Sequence, residues 1–436
     1  MFRNLVLAMT NPGDRVKLVT SQEEIEGLLL PSFEKEIILI KLDSGYNMGF
    51  SKKDVKKMVL LEKAKEKTNT IKPISQRKDL PTISILHTGG TIASKVDYRT
   101  GGVVSSFEPS QLLELFPELK SIANIESELV AQMWSDDLRF SHLTLLAKKI
   151  EEHAKKKVAG IIVGMGTDNL AVAAAALSFM IESSPVPIIF VGSQRSSDRG
   201  STDAAMNLLC AARFIIQSDF SGVAVCMHEK VEDKSCAILP AAKTMKLHSS
   251  RRDAFKPVNS LPIARVHYFE NKIEFLAKEY PKKGGALVVK PKMEDKVGLL
   301  KVHINMFPSQ ILFFKKYKGL IIEGTGLGQM PGQVPNLLAA IHKKFYPAIK
   351  SIIKSGCVVV MTTQCIFGSV NMNVYDKGRD LLGLGIIQGK DMLANTAFVK
   401  LSWLLANYPK KEVAELVQKN LRGEINERLS FSEDFI

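Results

Sequence analysis

Residues 83–93 read ISILHTGGTIA. The apolar run Ile83 to Leu86 is too short for a helix and is cut off by two glycines, so it fits a strand buried on both faces. Gly89 and Gly90 permit a tight turn and leave backbone N–H groups accessible beside the hydroxyls of Thr88 and Thr91. The same texture recurs in AGIIVGMG (159–166), VPIIFVGS (186–193), GVAVCMH (222–228), GLIIEGTG (319–326) and CVVVMTT (357–363). Short apolar runs separated by amphipathic stretches are the mark of a parallel sheet covered by helices. Helices are expected near residues 138–156, 170–183, 203–217 and 333–352, with the alanine-rich LAVAAAALSFM and DAAMNLLCAARFI favoured by propensity.

Working outward from this core, the 436 residues are too many for one ordinary compact core, and two or three domains are expected. Residues 1–62 read as strands with turn punctuation, GDRVKLV, EEIEGLLLPS, EIILIKLDSGYNMGF and VKKMVLLE, which fits a small β-barrel. Asp43, Ser44 and Gly45 mark a hairpin within it. Residues 63–80, rich in charge and poor in large apolar groups, read as a linker. An α/β domain is expected over 81–280. The proline- and glycine-punctuated texture of 255–295 then separates it from a second α/β domain over 296–436, which ends in NTAFVKLSWLLANY and KKEVAELVQKNL.

Hydrophobic residues at 45% and charged residues at 24% describe a globular chain that needs no appeal to disorder. The net charge of +14 would suit contact with a polyanion such as RNA, yet the lysines are dispersed, as in Lys52 and Lys53, Lys155 to Lys157, Lys282 and Lys283, and Lys410 and Lys411. Dispersed lysine describes a solvated surface more often than a nucleic-acid footprint. The five cysteines are odd in number and make no CxxC, which excludes a disulfide framework or zinc site and predicts buried, reduced thiols. The opening MFRNLVLAMTNPGDRV is too short and interrupted in its apolar part for a signal peptide or membrane span, and a cytoplasmic location is expected.

Three further clusters accompany Thr91. Thr167 and Asp168 follow the strand candidate IIVG, at the sheet edge where doubly wound folds bind ligands. A Thr-Asp pair opening a helix is often only an N-cap. Lys246 lies in KTMKLHSSRRDAF, one basic residue among 59. Ser135 and Asp136 precede LRFSHLTLL, where they would also serve as a helix N-cap.

Taken together and in order, TGGTIA, GTD, and K-x-H followed by DAF resemble the bacterial-type asparaginase and glutaminase family over residues 81–436. The segments VGSQRSSDRGSTDAAMN, EGTGLGQMPG and QCIFGSVN add to the resemblance. GDRV, LPS and KLDSGYNMGF are similar to the N-terminal barrel of the D-type subunits of archaeal glutamyl-tRNA(Gln) amidotransferases, as are SKVDYRTGGV and HSSRRDAFKPVN to other parts of those proteins. The resemblance implies an asparaginase-like, two-domain doubly wound fold behind a small β-barrel. It also implies Thr91 as nucleophile, Thr167, Asp168 and Lys246 as further catalytic residues, and Tyr98, on the loop after Thr91, as catalytic support. Ser135 and Asp136 would bind the α-carboxylate and α-amino groups of the substrate. A threonine hydroxyl attacks an amide only with help from a base and an oxyanion stabiliser, and Lys246 can be that base only when its amine is substantially neutral.

The resemblance further implies a homodimer core and an E-type amidotransferase partner that uses ATP and magnesium and contacts most of the Glu-tRNA(Gln). In keeping with this, the chain contains no GxxxxGK[ST] loop. Four positions depart from the family pattern. Met165 stands for the common histidine of HGTDT, Asn169 for its last threonine, and Asn395 for a glutamate that completes a neighbouring chain's site in many relatives. Gln329 is the fourth. Two other readings compete: a free-standing L-asparaginase, which would not need the barrel, and a catalytically silent tRNA-binding scaffold, suggested by the charge and the departures.

Overall fold

The computed structural model describes residues 10–64 apart from 33, 35 and 45, then 76–89, 94–96, 103–105, 116–195 and 201–429, with 94–96 and 103–105 as backbone only. The chain first builds an antiparallel sheet from β1 (Arg15–Thr20), β2 (Glu24–Leu30), β3 (Ile37–Lys41), β4 (Asn47–Ser51) and β5 (Val55–Glu62), in the order β4-β3-β2-β1-β5. Alternation puts Val16 and Leu18, Ile38 and Ile40, and Met58 on one face, where they form a private core. Two register shifts of β5 against β1 bend the sheet around that core into a barrel-like shape. The predicted hairpin joins β3 to β4, with Leu42 N–H donating to Tyr46 C=O at 2.8 Å, although Gly45 itself lies outside the described residues. The Asp43 carboxylate takes both arms of the Arg15 guanidinium, at 2.9 and 2.6 Å, which ties the hairpin to β1.

The second sheet has eight strands. β6 (Thr82–His87), β9 (Asn124–Leu129), β10 (Gly160–Gly164), β12 (Pro187–Val191) and β13 (Gly222–His228) run parallel, and β14 (Ser235–Pro240), β17 (Ala264–His267) and β18 (Lys272–Phe275) extend the sheet antiparallel beyond β13. Its order is β18-β17-β14-β13-β12-β10-β6-β9. Helices α1 (Phe140–Lys155) and α2 (Leu170–Met180) cover one face, against Leu86, Ile161, Val163, Ile188 and Phe190. Helix α3 (Ala204–Gln217) covers the other, against Ile83, Ile85, Ile162, Ile189 and Val191. Three two-stranded ribbons accompany the sheet: β7 (Ser94–Val96) with β8 (Val103–Ser105), β11 (Ile181–Ser183) with β19 (Val288–Val289), and β15 (Thr244–Lys246) with β16 (Phe255–Pro257).

The third sheet is fully parallel: β20 (Val297–Lys301), β21 (Gly319–Gly324), β22 (Val358–Thr363) and β23 (Ile387–Gln388), paired in that order. Around it lie α4 (Pro308–Leu312), α5 (Phe345–Lys354), α6 (Asp376–Gly383), α7 (Ala394–Asn407) and α8 (Lys410–Gln418). The two α/β units share one core because α2 is apolar on every side. Nine of its eleven residues are buried, between the eight-stranded sheet and α7, and Phe179 stacks on Trp403 with ring centroids 5.9 Å apart.

The doubly wound architecture agrees with the sequence reading, and three local expectations are corrected. The helix expected to reach residue 183 stops at Met180, because Ile181–Ser183 pairs with β19 and the Arg422 guanidinium takes the Ser178 carbonyl at 2.8 Å. Residues 333–352 do not form one helix. Leu337–Lys344 is 3₁₀ and kinked at Ala339, and Pro347, which has no N–H, is accommodated only in the first turn of the separate helix α5. The segment 255–295 is not merely a separator, since β17 and β18 are the sheet's last two strands; at four residues each they are too short a signal to read from sequence. No described helix is long and apolar enough to cross a membrane.

The end of the described chain is anchored by a fully buried ion pair, Lys400 with Glu424, whose carboxylate also accepts the N–H groups of Leu421 and Arg422. Burial lowers the Lys400 pKa despite the attraction of Glu424. Replacing Glu424 by Gln strands a buried cation, and we expect a loss of about 3–5 kcal/mol in urea unfolding at pH 7. The unfolded lysine titrates near its ordinary value of about 10.4, so between the lowered folded value and that value the unfolded state binds more protons and the variant regains stability as pH rises. An equal loss at pH 7 and pH 10 would count against the stranded charge as its cause.

Candidate active site

Three loops meet at the carboxyl ends of β6, β9 and β10. After β6 the chain turns at Gly89, whose φ of 90° is open to glycine and strained for other residues. Thr88, buried, is fixed on both sides of this turn: its N–H donates to Gly164 C=O at 3.0 Å and its C=O accepts from Met133 N–H at 3.1 Å. Thr91 and Tyr98 lie outside the described residues. The strands β7 and β8, on either side of Tyr98 in the sequence, pair antiparallel.

After β10 the residues Met165 to Asn169 lead directly into α2. Here the Lys246 ammonium, arriving from β15, donates to Thr167 Oγ1 and to Asp168 Oδ1, both at 2.8 Å. The lysine side chain is 14% exposed and the aspartate 69% exposed, so the pair is an amine largely shielded from water and held by a carboxylate at the mouth. Asp168 also sits at the amino end of α2, where the helix dipole favours an anion.

The third loop brings Ser135 against this pair. Its Oγ accepts the Asp168 N–H at 3.2 Å, and its C=O accepts the Asn169 side-chain amide at 2.8 Å. Ser135 is buried and Asp136 exposed beside it. Neither caps α1, which begins later, at Phe140, with His142 Nδ1 accepting the Arg139 N–H at 3.0 Å. Nor is Thr167 or Asp168 the cap of α2; that residue is Asn169, whose side chain is engaged with Ser135. The N-cap readings of both motifs are thereby set aside.

Several supporting residues were not singled out by number in the sequence, although Gly192, Asp203 and Asn207 fall within the family-like segment VGSQRSSDRGSTDAAMN. A Cβ on Gly166 would stand 2.9 Å from Ser135 Oγ, and one on Gly192 would stand 2.9 Å from Thr167 Cγ2. Both glycines are spaces that the site needs. The turn after Gly192 is held by Asp203, which accepts the N–H groups of Gln194 and Arg195 at 3.0 Å, and by Asn207, which donates to Gly192 C=O at 3.0 Å. Asn207 continues through His228 (2.6 Å) to Asp233 (2.9 Å) and Arg252 (2.6 Å). Asn207 lies only 15 residues after Gly192, but no spacing rule would have selected Gly166, His228 or Asp233.

A cleft of about 310 Å³ opens beside the lysine, between the two α/β units, lined among others by Asp168, Lys246, Thr363, Cys365 and Asn395. Asn395, which stands where many relatives have a glutamate that completes a neighbouring chain's site, shares a cleft with Lys246 of its own chain. Cys365 corrects the expectation of uniformly buried thiols: it is exposed at this cleft, and the other four cysteines are buried and free. Met165 is buried in the main core and Asn169 replaces the family threonine with an amide that holds Ser135. The Gln329 side-chain amide is shielded from solvent with no hydrogen-bond partner among the described residues.

Family models match in the same order as the sheets. The GatD N-terminal domain covers residues 10–61, the asparaginase N-terminal domain 82–280, and the glutaminase/asparaginase C-terminal domain 296–417. The D-type glutamyl-tRNA(Gln) amidotransferase subunit of Pyrococcus furiosus is 40% identical over 426 residues, 95% of this chain and 94% of its own. That of Methanococcus maripaludis is 41% identical over 426 residues, 96% and 99% of the two chains. The chain belongs to the GatD family of glutamyl-tRNA(Gln) amidotransferase subunits. Among solved structures, the thermostable L-asparaginase from Thermococcus kodakarensis superposes with a TM-score of 0.70 at 25% identity, covering 80% of this chain and all of its own. L-asparaginase I from Vibrio cholerae gives 0.68 at 26%, covering 80% and 99%. An asparaginase is therefore accommodated whole within four-fifths of this GatD family member.

The packing of Ser135 on Gly166 yields a test. Gly166→Ala is expected to push Ser135 away and to speed amide hydrogen exchange over residues 133–138, with exchange in the N-terminal sheet unchanged. Unaltered exchange at 133–138 would show that the close approach does not hold the loop.

Proposed function

We propose that the chain is the glutaminase subunit of a tRNA-dependent amidotransferase, releasing ammonia from glutamine for the conversion of Glu-tRNA(Gln) to Gln-tRNA(Gln). The observation that carries the reading is the Lys246 amine 2.8 Å from both Thr167 and Asp168, at the strand edge next to the turn that leads to Thr91. Family membership over almost the whole length, the N-terminal sheet included, sets the purpose of that chemistry.

In this mechanism the Thr91 hydroxyl oxygen attacks the side-chain carboxamide carbon of glutamine. The hydroxyl proton passes to the basic group and on to the leaving nitrogen, the C–N bond breaks, and ammonia departs, leaving a glutamyl ester on Thr91. Water then adds to the ester carbon, the ester C–O bond breaks, and glutamate and the free hydroxyl are restored. Lys246 is the base. Its amine is largely shielded from water, and Asp168 holds it in place. Thr167, in contact with the same amine, relays the proton or orients the water. Ser135 and Asp136 bind the α-carboxylate and α-amino groups, and Tyr98 assists the nucleophile.

Membership of the family implies partner subunits. We assign ATP and magnesium, and most of the tRNA contact, to the E-type amidotransferase partner, with no cofactor on this chain. A homodimer core is carried over from the family resemblance alone. A free-standing asparaginase has no use for the N-terminal sheet, and a silent scaffold has no use for a lysine so placed.

The test is amidation of Glu-tRNA(Gln) by the complex of this chain with its E-type partner. Thr91→Val should abolish amidation from glutamine and leave amidation from added ammonium intact. Loss of both would make Thr91 a residue of folding or assembly. Asparagine hydrolysis by the chain alone, at rates that exceed glutamine hydrolysis in the complex, would favour the free-standing asparaginase.

A further inference from the structure

Three residues before Lys246 lies a second lysine that the chemistry above does not use. The Lys243 side chain is 1% exposed and ion-paired with Asp391, itself 1% exposed, on the loop that precedes α7. The same ammonium donates to the Asp391 backbone carbonyl at 3.3 Å. Asp391 is held from behind: its Oδ1 accepts the Asn426 N–H at 3.0 Å, and its Oδ2 accepts the Asn426 side-chain amide at 2.9 Å. One residue along, the Ala242 carbonyl accepts the Thr396 hydroxyl at 2.9 Å. Lys243 C=O accepts the Val258 N–H at 2.8 Å, and Thr244 to Lys246 pair with Phe255 to Pro257. Residues 241–246 thus belong in sequence to the first α/β unit but are gripped on one side by Asp391 and Thr396 of the second.

This grip has a direct geometric consequence. A buried charge pair tolerates little displacement, because moving one partner leaves the other desolvated and unpaired. From Lys243 the short strand β15 runs straight to Lys246, whose amine must reach Thr167 and Asp168 at the head of α2. Both the anchor and the target of the lysine are therefore fixed, one by the C-terminal unit and the other by the eight-stranded sheet.

We propose that the buried Lys243–Asp391 pair, with Thr396 on the Ala242 carbonyl, is a clamp through which the C-terminal α/β unit positions the Lys246 amine against Thr167 and Asp168. Lys243, Asp391 and Thr396 are positioning residues. The inference rests on Lys246 being the base of the proposed glutaminase.

The experiment compares Asp391→Asn, Thr396→Val and Lys243→Arg with the wild type in the complex with the E-type partner. Ile349→Ala, which opens a cavity in α5's packing on the third sheet, away from Lys243, is the control for lost stability alone. Asp391→Asn should lower kcat for glutamine about tenfold to a hundredfold, the range expected for a misplaced catalytic group, with little change in KM. Thr396→Val should do the same to a smaller extent, Lys243→Arg should retain most of kcat, and Ile349→Ala should leave kcat unchanged. Unchanged kcat in Asp391→Asn, or an equal effect from Ile349→Ala, would overturn the clamp. A second readout does not depend on activity: the rate at which acetic anhydride modifies Lys246, followed by mass spectrometry, should rise in Asp391→Asn and Thr396→Val and not in Ile349→Ala. If the wild-type complex fails to use glutamine, the proposed activity falls while the modification rates still decide the clamp; unchanged rates would overturn it.

Discussion

The structure depends on one constraint: helix Leu170–Met180 has no polar face. A helix built from LAVAAAALSFM cannot sit on a sheet with one side in water, and with alanines at 171 and 173–176 its neighbours can approach closely. The eight-stranded sheet takes one side and the helix Ala394–Asn407 takes the other, so burying this helix joins the two α/β units into one core. Each large side chain so buried contributes about 1.5–3 kcal/mol, and Phe179 and Trp403 add a stacked pair to the seam.

The position of the site follows from the same constraint. The residues immediately before this helix are Thr167, Asp168 and Asn169, so fixing the helix on two sides fixes its head. Asp168 is oriented by its backbone bond to Ser135 and by the lysine, and Asn169 is diverted from capping to hold the Ser135 loop. The site is thus made by pinning a helix start between sheet ends, with glycines at 166 and 192 leaving room for the contacts. The C-terminal unit, which supplies no residue of the Lys246, Thr167 and Asp168 contact, reaches it through the segment that carries Lys246.

The N-terminal sheet stands apart in its packing, with its own small core of Val16, Leu18, Ile38, Ile40 and Met58. Its presence in front of an asparaginase-like pair of sheets separates this family from the L-asparaginases that superpose on the remainder. A shared fold can support different purposes, and here the added module goes with a tRNA-dependent use of the amide nitrogen.

What the sequence determined by itself was whatever rests on local pattern: the period-two strands of the first sheet, the short apolar strands of the two parallel sheets, and the Thr167–Asp168 turn at a strand end, because hydrophobic spacing and glycine placement act within a few residues. Even there, local signal failed where neighbours intervened. Ile181 to Ser183 directly follow an apolar helical run yet became a strand, because a partner strand more than a hundred residues later pairs with them. Lys246 was singled out with Thr167 and Asp168 only through the family resemblance, and the tertiary structure supplied their contact; it alone decided that Gly166 and Gly192 are required spaces and that Lys243 finds Asp391 across 148 residues. Side-chain partners so distant in the chain are chosen by how the sheets and helices pack, and no spacing in the sequence records that choice.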